Sequence, residues 1–323
     1  MNSAEIFSRR AGMTLAGAAA RSSKPLALAI GVFDGVHLGH QKLLNEVIRT
    51  ARELDAEPVA LTFDPHPRSV LQVSAPPVLL VDLPERIRLL QQAGAAMVAV
   101  ADFTPDFAAT EPEDFLGQLF TQVPRLAAVG VGCQWRFGRG GAGNVELLQS
   151  YADKQGFKLS AVPELVVDGE VVSASRIRRL VAGGSLDAAE KLLGRRYALT
   201  GVVSNGYGIA GTHLECPTAN IEPAAGVLPP DGVYSGIVTF EGKCYGAAVN
   251  IGVAPTYGRT ADRRRRIEAH LLDFSGCLYG KQVHLQLGEY LRSEQCFASE
   301  EALKKQIFCD VENIRRWVSG KLS

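Results

Sequence analysis

Two histidines in a glycine-rich run are the residues of this sequence that most directly suggest chemistry. His37 and His40 lie three residues apart in the run GVHLGH at 35–40, soon after an apolar stretch at 26–30. Imidazoles and backbone N–H groups at the start of a helix bind phosphate oxygens, and glycines let a nucleotide approach the main chain. The run therefore predicts a polyphosphate site. The alternative is a pair of solvated loop histidines.

Arginines in a later run could complete such a site. Arg176 and Arg178 belong to VSASRIR at 172–178, in which Ser173 and Ser175 lie at the predicted start of a helix. A guanidinium group binds phosphate through two parallel hydrogen bonds, which suits it to this purpose. The alternative is an ordinary helix cap followed by surface arginines.

Alternating apolar and amphipathic segments must position these residues in the first half of the chain. Such alternation is typical of βαβ units on a parallel sheet, so we expect an open α/β domain. The predicted strands are 26–30, 58–63, 96–101, 127–131 and 158–163, and the predicted helices lie near 43–54, 84–93, 112–121, 144–155, 176–180 and 185–193.

The second half of the chain has β-branched runs separated by glycine and proline, which predict a small antiparallel barrel. A last helix is expected from Ser299, with one apolar stripe that would close a face of the barrel. The predicted strands are 199–203, 232–240, 245–251, 267–274 and 283–287, and the stripe consists of Leu303, Ile307, Val311, Ile314 and Trp317. We expect an N-terminal extension at 1–25, a first domain at 26–185, a linker helix at 186–198 and a second domain at 199–323.

Composition limits the classes of partner. The 34 basic and 34 acidic residues balance, so no overall field draws the protein to nucleic acid or anionic lipid. Six cysteines lie far apart without a CxxC pair, which favours a reduced, cytoplasmic setting. No apolar run approaches the roughly 20 residues that span a bilayer. We therefore expect a cytoplasmic protein with neither a nucleic-acid nor a membrane partner.

The motifs together resemble the HIGH-type nucleotidyltransferases, and the fuller run FDGVHLGH at 33–40 is similar to the bacterial bifunctional riboflavin kinase/FAD synthetases. This resemblance covers nearly the whole chain from residue 26. It includes LTFDPHP at 61–67, GCQWRFG at 132–138, LLGRRY at 192–197, PTANI at 217–221, NIG at 250–252, PT at 255–256 and EAHLLDF at 268–274. It implies a Rossmann-like FMN adenylyltransferase domain followed by a β-barrel of riboflavin kinase type.

In the first domain, the resemblance implies catalytic roles for His37, His40 and Arg178, with Ser175 helping to steady the leaving pyrophosphate. The turn at His66 and the loop 134–144 would shape the flavin and nucleotide pockets. His66 has an alternative role as a turn residue, because a proline on each side already dictates a bend. The other binding positions implied are Gly31, Phe33, Asp34, Gly35, Gly39, Gln134, Ser173 and Arg176.

In the second domain, the resemblance implies that Thr218 and Asn220 bind the nucleotide together with Mg²⁺, since their oxygens suit a hard cation. Glu268 matches the family's base for the ribityl hydroxyl, a neutral alcohol that needs one. The alternative for Glu268 is an outward-facing strand residue. Gly211 would belong to the nucleotide flap.

Several positions depart from the family pattern. Thr212 and Glu215 replace an arginine and a glycine in the flap, and a carboxylate there would repel a triphosphate. The first domain has Gln134, Gly141 and Ala174 where the family usually has an acid or amide, an arginine and a hydroxyl.

The expected substrates are ATP, FMN and riboflavin. An FMN phosphate oxygen would attack the α-phosphorus of ATP to give FAD and pyrophosphate, and riboflavin would be phosphorylated in the barrel. One alternative is an FAD synthetase whose barrel no longer phosphorylates. Another is a flavin-binding regulatory protein, against which the intact His37, His40 and Arg178 argue. The sequence leaves the oligomeric state open.

Overall fold

The computed structural model describes residues 13–72, 75–204, 218–253, 265–295 and 299–319. Their contacts divide them into two compact units. The described residues up to Val78, together with Leu83–Ala174, form the first unit, and Leu79–Asp82 join the described residues from Ser175 onward in the second. The division falls between Ala174 and Ser175, within the first turn of a helix and ahead of the boundary predicted at 185.

The first unit is built on a five-stranded sheet in the order β3-β2-β1-β4-β5, with every neighbouring pair parallel. The predicted α/β architecture is therefore confirmed. The strands are β1 Leu26–Ile30, β2 Glu57–Asp64, β3 Met97–Asp102, β4 Leu126–Gly132 and β5 Lys158–Val162. A short hairpin follows, formed by β6 Val166–Val167 and β7 Glu170–Val171.

Helices cover both faces of this sheet. Leu26, Leu28 and Ile30 of β1 alternate to one face and join a core with residues of three helices, whereas helix α2 packs against β1 and β4. A Cβ atom at Gly130 of β4 would lie within 3.3 Å of Leu43 of α2, so the glycine allows close packing. The helices are α1 Leu15–Arg21, α2 Leu38–Glu53, α3 Pro67–Leu71, α4 Leu83–Gln92, α5 Pro105–Ala108, α6 Pro112–Gln122 and α7 Val145–Gln155.

Part of the predicted N-terminal extension belongs to the first unit. Thr14 caps α1 by accepting a hydrogen bond from the Gly17 N–H at 3.0 Å, and Met13 forms a parallel bridge with Ala99 of β3. Leu15 and Ala18 are buried in the core of the sheet. The described residues before 26 thus contribute apolar packing to the domain, although the sequence indicated only an extension there.

The second unit contains a closed six-stranded barrel in the order β10-β11-β12-β9-β8-β13, with all pairs antiparallel. Two helices precede it, α8 Ala174–Ala182 and α9 Leu186–Leu193. The segment predicted as a linker helix at 186–198 is therefore helical only to Leu193, where Gly194 ends it in a left-handed conformation. The strands are β8 Ala198–Ser204, β9 Thr218–Pro223, β10 Gly232–Phe240, β11 Lys243–Val253, β12 Arg265–Leu271 and β13 Gln282–Arg292.

The last helix, α10 Glu300–Ser319, packs against β10 and β11. Ile314 is fully buried, and the Trp317 ring occupies the space that a side chain at Gly288 of β13 would need. The stacked guanidinium of Arg196 lies 4.4 Å from the Trp317 ring centre. The expected covering of one barrel face by this helix is thus present.

Candidate active site

The loop after β1 is fixed by one buried aromatic ring. The Gly31 N–H donates to the Leu61 carbonyl at 3.1 Å, which continues the pairing of β1 with β2. Phe33 is fully buried in a left-handed conformation, with φ 55°. A Cβ atom at Gly31 would lie 3.2 Å from the Phe33 ring, so a glycine there lets the ring close against the main chain. Gly35, at φ 77°, allows the turn Asp34–Val36 that follows.

The two predicted histidines meet at the first turn of α2. Nδ1 of His37 accepts a hydrogen bond from the His40 N–H at 3.4 Å and so caps the helix. The two imidazole rings stack with their centres 3.6 Å apart and their planes at 17°. The centres of the Phe33 and His40 rings lie 5.2 Å apart in an edge-to-face arrangement. A helix N-terminus and two stacked imidazoles therefore share one end of the sheet, where an anion is favoured.

The start of the later SASRIR run lies beside these histidines. A Cβ atom at Gly39 would be 3.2 Å from the His37 ring and 3.6 Å from the Val172 carbonyl oxygen, and Val172 immediately precedes Ser173. A side chain at residue 39 would therefore crowd the His37 ring and come into van der Waals contact with the main chain at Val172. The histidine loop and the residue before Ser173 therefore lie close together within the first unit.

Helix α8 begins earlier than predicted, at Ala174, and carries the expected arginines in the second unit. Ile177 and Val181 are fully buried, and the neighbouring residues Arg176 and Arg178 are partly buried. Ser175, at the start of the helix, is exposed. A direct role of Arg178 at the histidine site stays a prediction.

His66 has a structural function that the sequence left as an alternative. The bond between Asp64 and Pro65 is cis, and Nδ1 of His66 accepts a hydrogen bond from the Arg68 N–H at 3.1 Å. His66 thereby caps α3 and is buried. The Asp64 carbonyl accepts from the Phe103 N–H at 3.0 Å, which ties this turn to the end of β3.

A cluster of aromatic rings, unnoticed in the sequence, lies near the carboxyl ends of the strands. Trp135 stacks on Phe137 at 4.7 Å in the predicted loop 134–144, while Gln134 is exposed. Asn144 ends this loop by capping α7 through the Leu147 N–H at 2.9 Å. The sequence signal was weak because the rings come from separate segments. The members of the aromatic cluster are Phe63, Phe103, Phe107, Phe115, Trp135 and Phe137.

Glu268 lies in the second unit between two amide side chains. Glu268 lies opposite Asn220 of β9 on one side and opposite Asn250 of β11 on the other. All three residues are partly buried. Ile267 and Ala269 point into the barrel, so these polar residues share its outer surface. Asn250 donates to a Glu294 carboxylate oxygen at 2.8 Å.

Other predicted positions of the second unit are described in part or not at all. Thr218 begins β9 opposite His270, with only its backbone described. Gly211, Thr212 and Glu215 lie outside the described residues. Asn250 and Glu294 were missed, although the NIG run at 250–252 pointed to the first of them.

The described residues contain neither a protein-only metal cluster nor a membrane-spanning helix. No group of three or more histidine, cysteine or acidic residues within the described ranges could hold a metal ion. Mg²⁺ bound with a nucleotide takes only one or two protein oxygens beside phosphate oxygens, and of the predicted ligands Thr218 and Asn220 the structure describes the side chain of Asn220, which carries a suitable amide oxygen. Among the described helices, none is both long and apolar enough to cross a membrane.

Comparison with known proteins gives matches to both halves of the chain. A family model described as FAD synthetase matches residues 19–176, and one described as riboflavin kinase matches residues 193–318. The chain is 34% identical over 284 residues to the bifunctional riboflavin kinase/FMN adenylyltransferase of Escherichia coli strain K12, covering 88% of this chain and 90% of that protein.

Two further matches extend over most of the chain. A protein of the same description from Pseudomonas fluorescens is 33% identical over 292 residues, which cover 88% of this chain and 91% of that protein. A solved structure titled as a macrolide-efflux protein from Streptococcus pneumoniae is similar with a TM-score of 0.79 and 26% identity, covering 92% of this chain and 95% of that chain.

Proposed function

This chain belongs to the family of bifunctional riboflavin kinase/FMN adenylyltransferases, and on that premise we propose that it converts riboflavin to FAD in two ATP-dependent steps. The second unit phosphorylates riboflavin to FMN, and the first unit adenylylates FMN with release of pyrophosphate. The observation that carries the proposal is the stacked pair His37 and His40 at a helix N-terminus, in a chain that matches both family models.

Adenylylation needs alignment and charge neutralisation more than it needs a base, because the FMN phosphate is already an anionic nucleophile. Nδ1 of His37 accepts a hydrogen bond from its own helix, so the neutral ring carries its proton on Nε2. Nε2 is then a donor for a phosphate oxygen. His40 stacks on this ring and offers a second donor. The role proposed for Arg178 and Ser175, as the family resemblance implies, is to steady the leaving pyrophosphate.

The isoalloxazine ring of FMN needs an apolar, flat surface near the nucleotide. The aromatic cluster supplies such surfaces near the carboxyl ends of the strands, where ligands of open α/β sheets bind. The cis turn at His66 adjoins Phe63 of this cluster. We therefore assign the flavin ring to this region of the first unit.

In the second unit, Glu268 accepts the proton of the ribityl 5′-hydroxyl as the oxygen attacks the γ-phosphorus of ATP. Asn220 and Asn250 lie opposite Glu268 on the two neighbouring strands. Mg²⁺ would be held by Asn220 with Thr218, and when bound it neutralises phosphate charge. The described cysteines, which are Cys133, Cys244, Cys277 and Cys309, are free, and this supports placing the enzyme in the reducing cytoplasm.

One assay tests the proposal and separates it from its alternatives. Purified protein is incubated with Mg-ATP and either riboflavin or FMN, and the flavins are separated by chromatography. We expect FMN and FAD from riboflavin, and FAD with pyrophosphate from FMN. FAD from FMN alone would identify an enzyme whose barrel does not phosphorylate. Flavin binding without any product would identify a regulatory protein.

A further inference from the structure

Arg86 of α4 is the largest fully buried side chain of the described residues and has no role in the chemistry outlined above. Its Nη1 donates to the Phe63 carbonyl oxygen at 3.0 Å and lies 3.4 Å from the Thr62 hydroxyl. Arginine stays protonated in proteins, and a buried cation is retained only when its surroundings compensate the loss of water. We propose that Arg86 is a positioning residue that holds the two loops of the adenylylation site in register.

The first loop is reached through Thr62. The fully buried Thr62 hydroxyl donates to the Val32 carbonyl oxygen at 2.9 Å, while its oxygen faces Arg86. Val32 directly precedes Phe33, the left-handed residue whose ring edge contacts His40. Arg86 therefore acts on the histidine loop through one hydroxyl and one buried ring.

The second loop is reached directly. The Phe63 carbonyl that accepts from Arg86 lies one residue before Asp64, whose peptide bond to Pro65 is cis. The turn that carries His66 starts there. One guanidinium group thus contacts the end of β2 directly and the loop after β1 through the Thr62 hydroxyl. We assign the loop after β1 to the nucleotide and the turn after β2 to the flavin.

The neighbouring carboxylate is engaged elsewhere. Both oxygens of Glu85 accept hydrogen bonds from Arg88, at 2.7 and 2.6 Å, on the same helix. Arg88 is partly exposed, with 46% of its side chain accessible. Arg88 therefore offers a matched control for Arg86: the same residue type in the same helix, without the contacts to β2.

The role of Arg86 concerns FMN adenylylation and rests on that proposed function. His37 and His40 stay stacked by their own helix, so binding of ATP should persist when Arg86 is changed. The relative placement of the two loops should suffer, and misplacement of about 1 Å lowers turnover by about 100-fold. The signature of a positioning residue is therefore a fall in kcat with little change in KM.

The test measures both activities of the full chain in Arg86→Met, Arg86→Lys and Arg88→Met. We expect Arg86→Met to lower kcat for FAD formation by about 100-fold, with KM for ATP and FMN changed by less than about threefold. Arg86→Lys keeps the charge and one donor, so its kcat for FAD formation should be about tenfold higher than that of Arg86→Met. Arg88→Met should match wild type. Riboflavin phosphorylation, assigned to the other unit, should stay unchanged in all three.

Thr62→Val keeps the proposal testable if Arg86→Met does not fold. This near-isosteric change removes only the hydroxyl between Arg86 and the β1 loop, and we expect kcat for FAD formation to fall about tenfold. Unchanged kcat in folded Arg86→Met, or in Thr62→Val where Arg86→Met does not fold, would overturn the positioning role. Wild-type protein that forms no FAD would instead contradict the proposed function.

Discussion

At the scale of single residues, the proposed adenylylation site depends on how two imidazoles are held. His37 is fixed by the cap that it makes on its own helix, and His40 is fixed between the His37 ring and the Phe33 edge. Each ring is therefore placed before any substrate arrives. Donors placed in advance stabilise developing charge without reorganising during the reaction.

Replacing His40 with alanine removes one of these donors without removing the helix cap, because the cap uses the His40 main chain. We expect FAD formation from FMN to fall by about 100-fold or more, as with other lost transition-state donors. Riboflavin phosphorylation by the same preparation serves as the folding control. Ordinary FAD synthesis by His40→Ala would contradict the role of this ring.

Glu268→Gln tests the base of the barrel. The amide has nearly the shape of the carboxylate and keeps the neighbours Asn220 and Asn250, but it cannot accept the proton of an alcohol. We expect no measurable FMN from riboflavin, while FAD from added FMN forms at the wild-type rate. FMN formation close to wild type would contradict the role as base and make Glu268 an ordinary outward-facing strand residue.

At the scale of elements, the loop between β4 and α7 depends on glycines with different surroundings. Gly138 has φ 71°, and a Cβ atom there would lie 2.7 Å from the Pro112 main-chain nitrogen. Gly140 has φ 63° but no atom within 4 Å of that position. Both residues therefore have a left-handed backbone conformation, but an added methyl group would collide with Pro112 at Gly138 and with no atom at Gly140.

We expect Gly138→Ala to lower the free energy of unfolding of the first unit by about 2 kcal/mol more than Gly140→Ala does, because overpacking adds to the backbone strain. Urea unfolding followed by tryptophan fluorescence measures this difference. The chain has two tryptophans, so a Trp317→Phe background leaves Trp135, beside this loop, as the reporter. Equal losses in the two variants would contradict the packing of Gly138 against Pro112.

Elements with strong periodicity were predictable, and an element defined by its pairing with other strands was not. The buried run at 26–30 and the strand at 232–240 have the predicted bounds because their apolar side chains alone define them. Strand β9 was not predicted, since its proline and asparagine resemble a loop and only Ala219 and Ile221 face the core. The barrel neighbours of β9, far away in sequence, make it a strand.

The candidate site was likewise predictable only in part. The spacing of His37 and His40 at a helix start indicated their proximity, but no pattern shows the left-handed conformation of Phe33, whose ring contacts His40. Arg86 was missed because a charged residue on an amphipathic helix is normally a surface residue. Its burial depends on acceptors at the end of β2, which only the folded sheet supplies.

At the scale of the whole molecule, each unit has its own core. The core around the parallel sheet draws its buried members from Leu15 to Phe157, with none from the barrel. A protein with residues 199–323 deleted should therefore keep a folded first unit. We expect a cooperative urea transition reported by Trp135. Its absence would show that the first unit needs the barrel to fold.

The proposed function combines a phosphoryl transfer to riboflavin with an adenylyl transfer to FMN in one chain, and the position of a phosphorus label in the product distinguishes the two. Purified wild-type protein receives riboflavin with ATP labelled at either the γ-phosphorus or the α-phosphorus, and the FAD formed is isolated and counted. We expect labelled FAD with either form of ATP, because the flavin phosphate comes from the γ-phosphorus and the adenylate from the α-phosphorus. Flavin without γ-label would contradict the kinase assignment, and flavin without α-label would contradict the adenylylation site at His37 and His40.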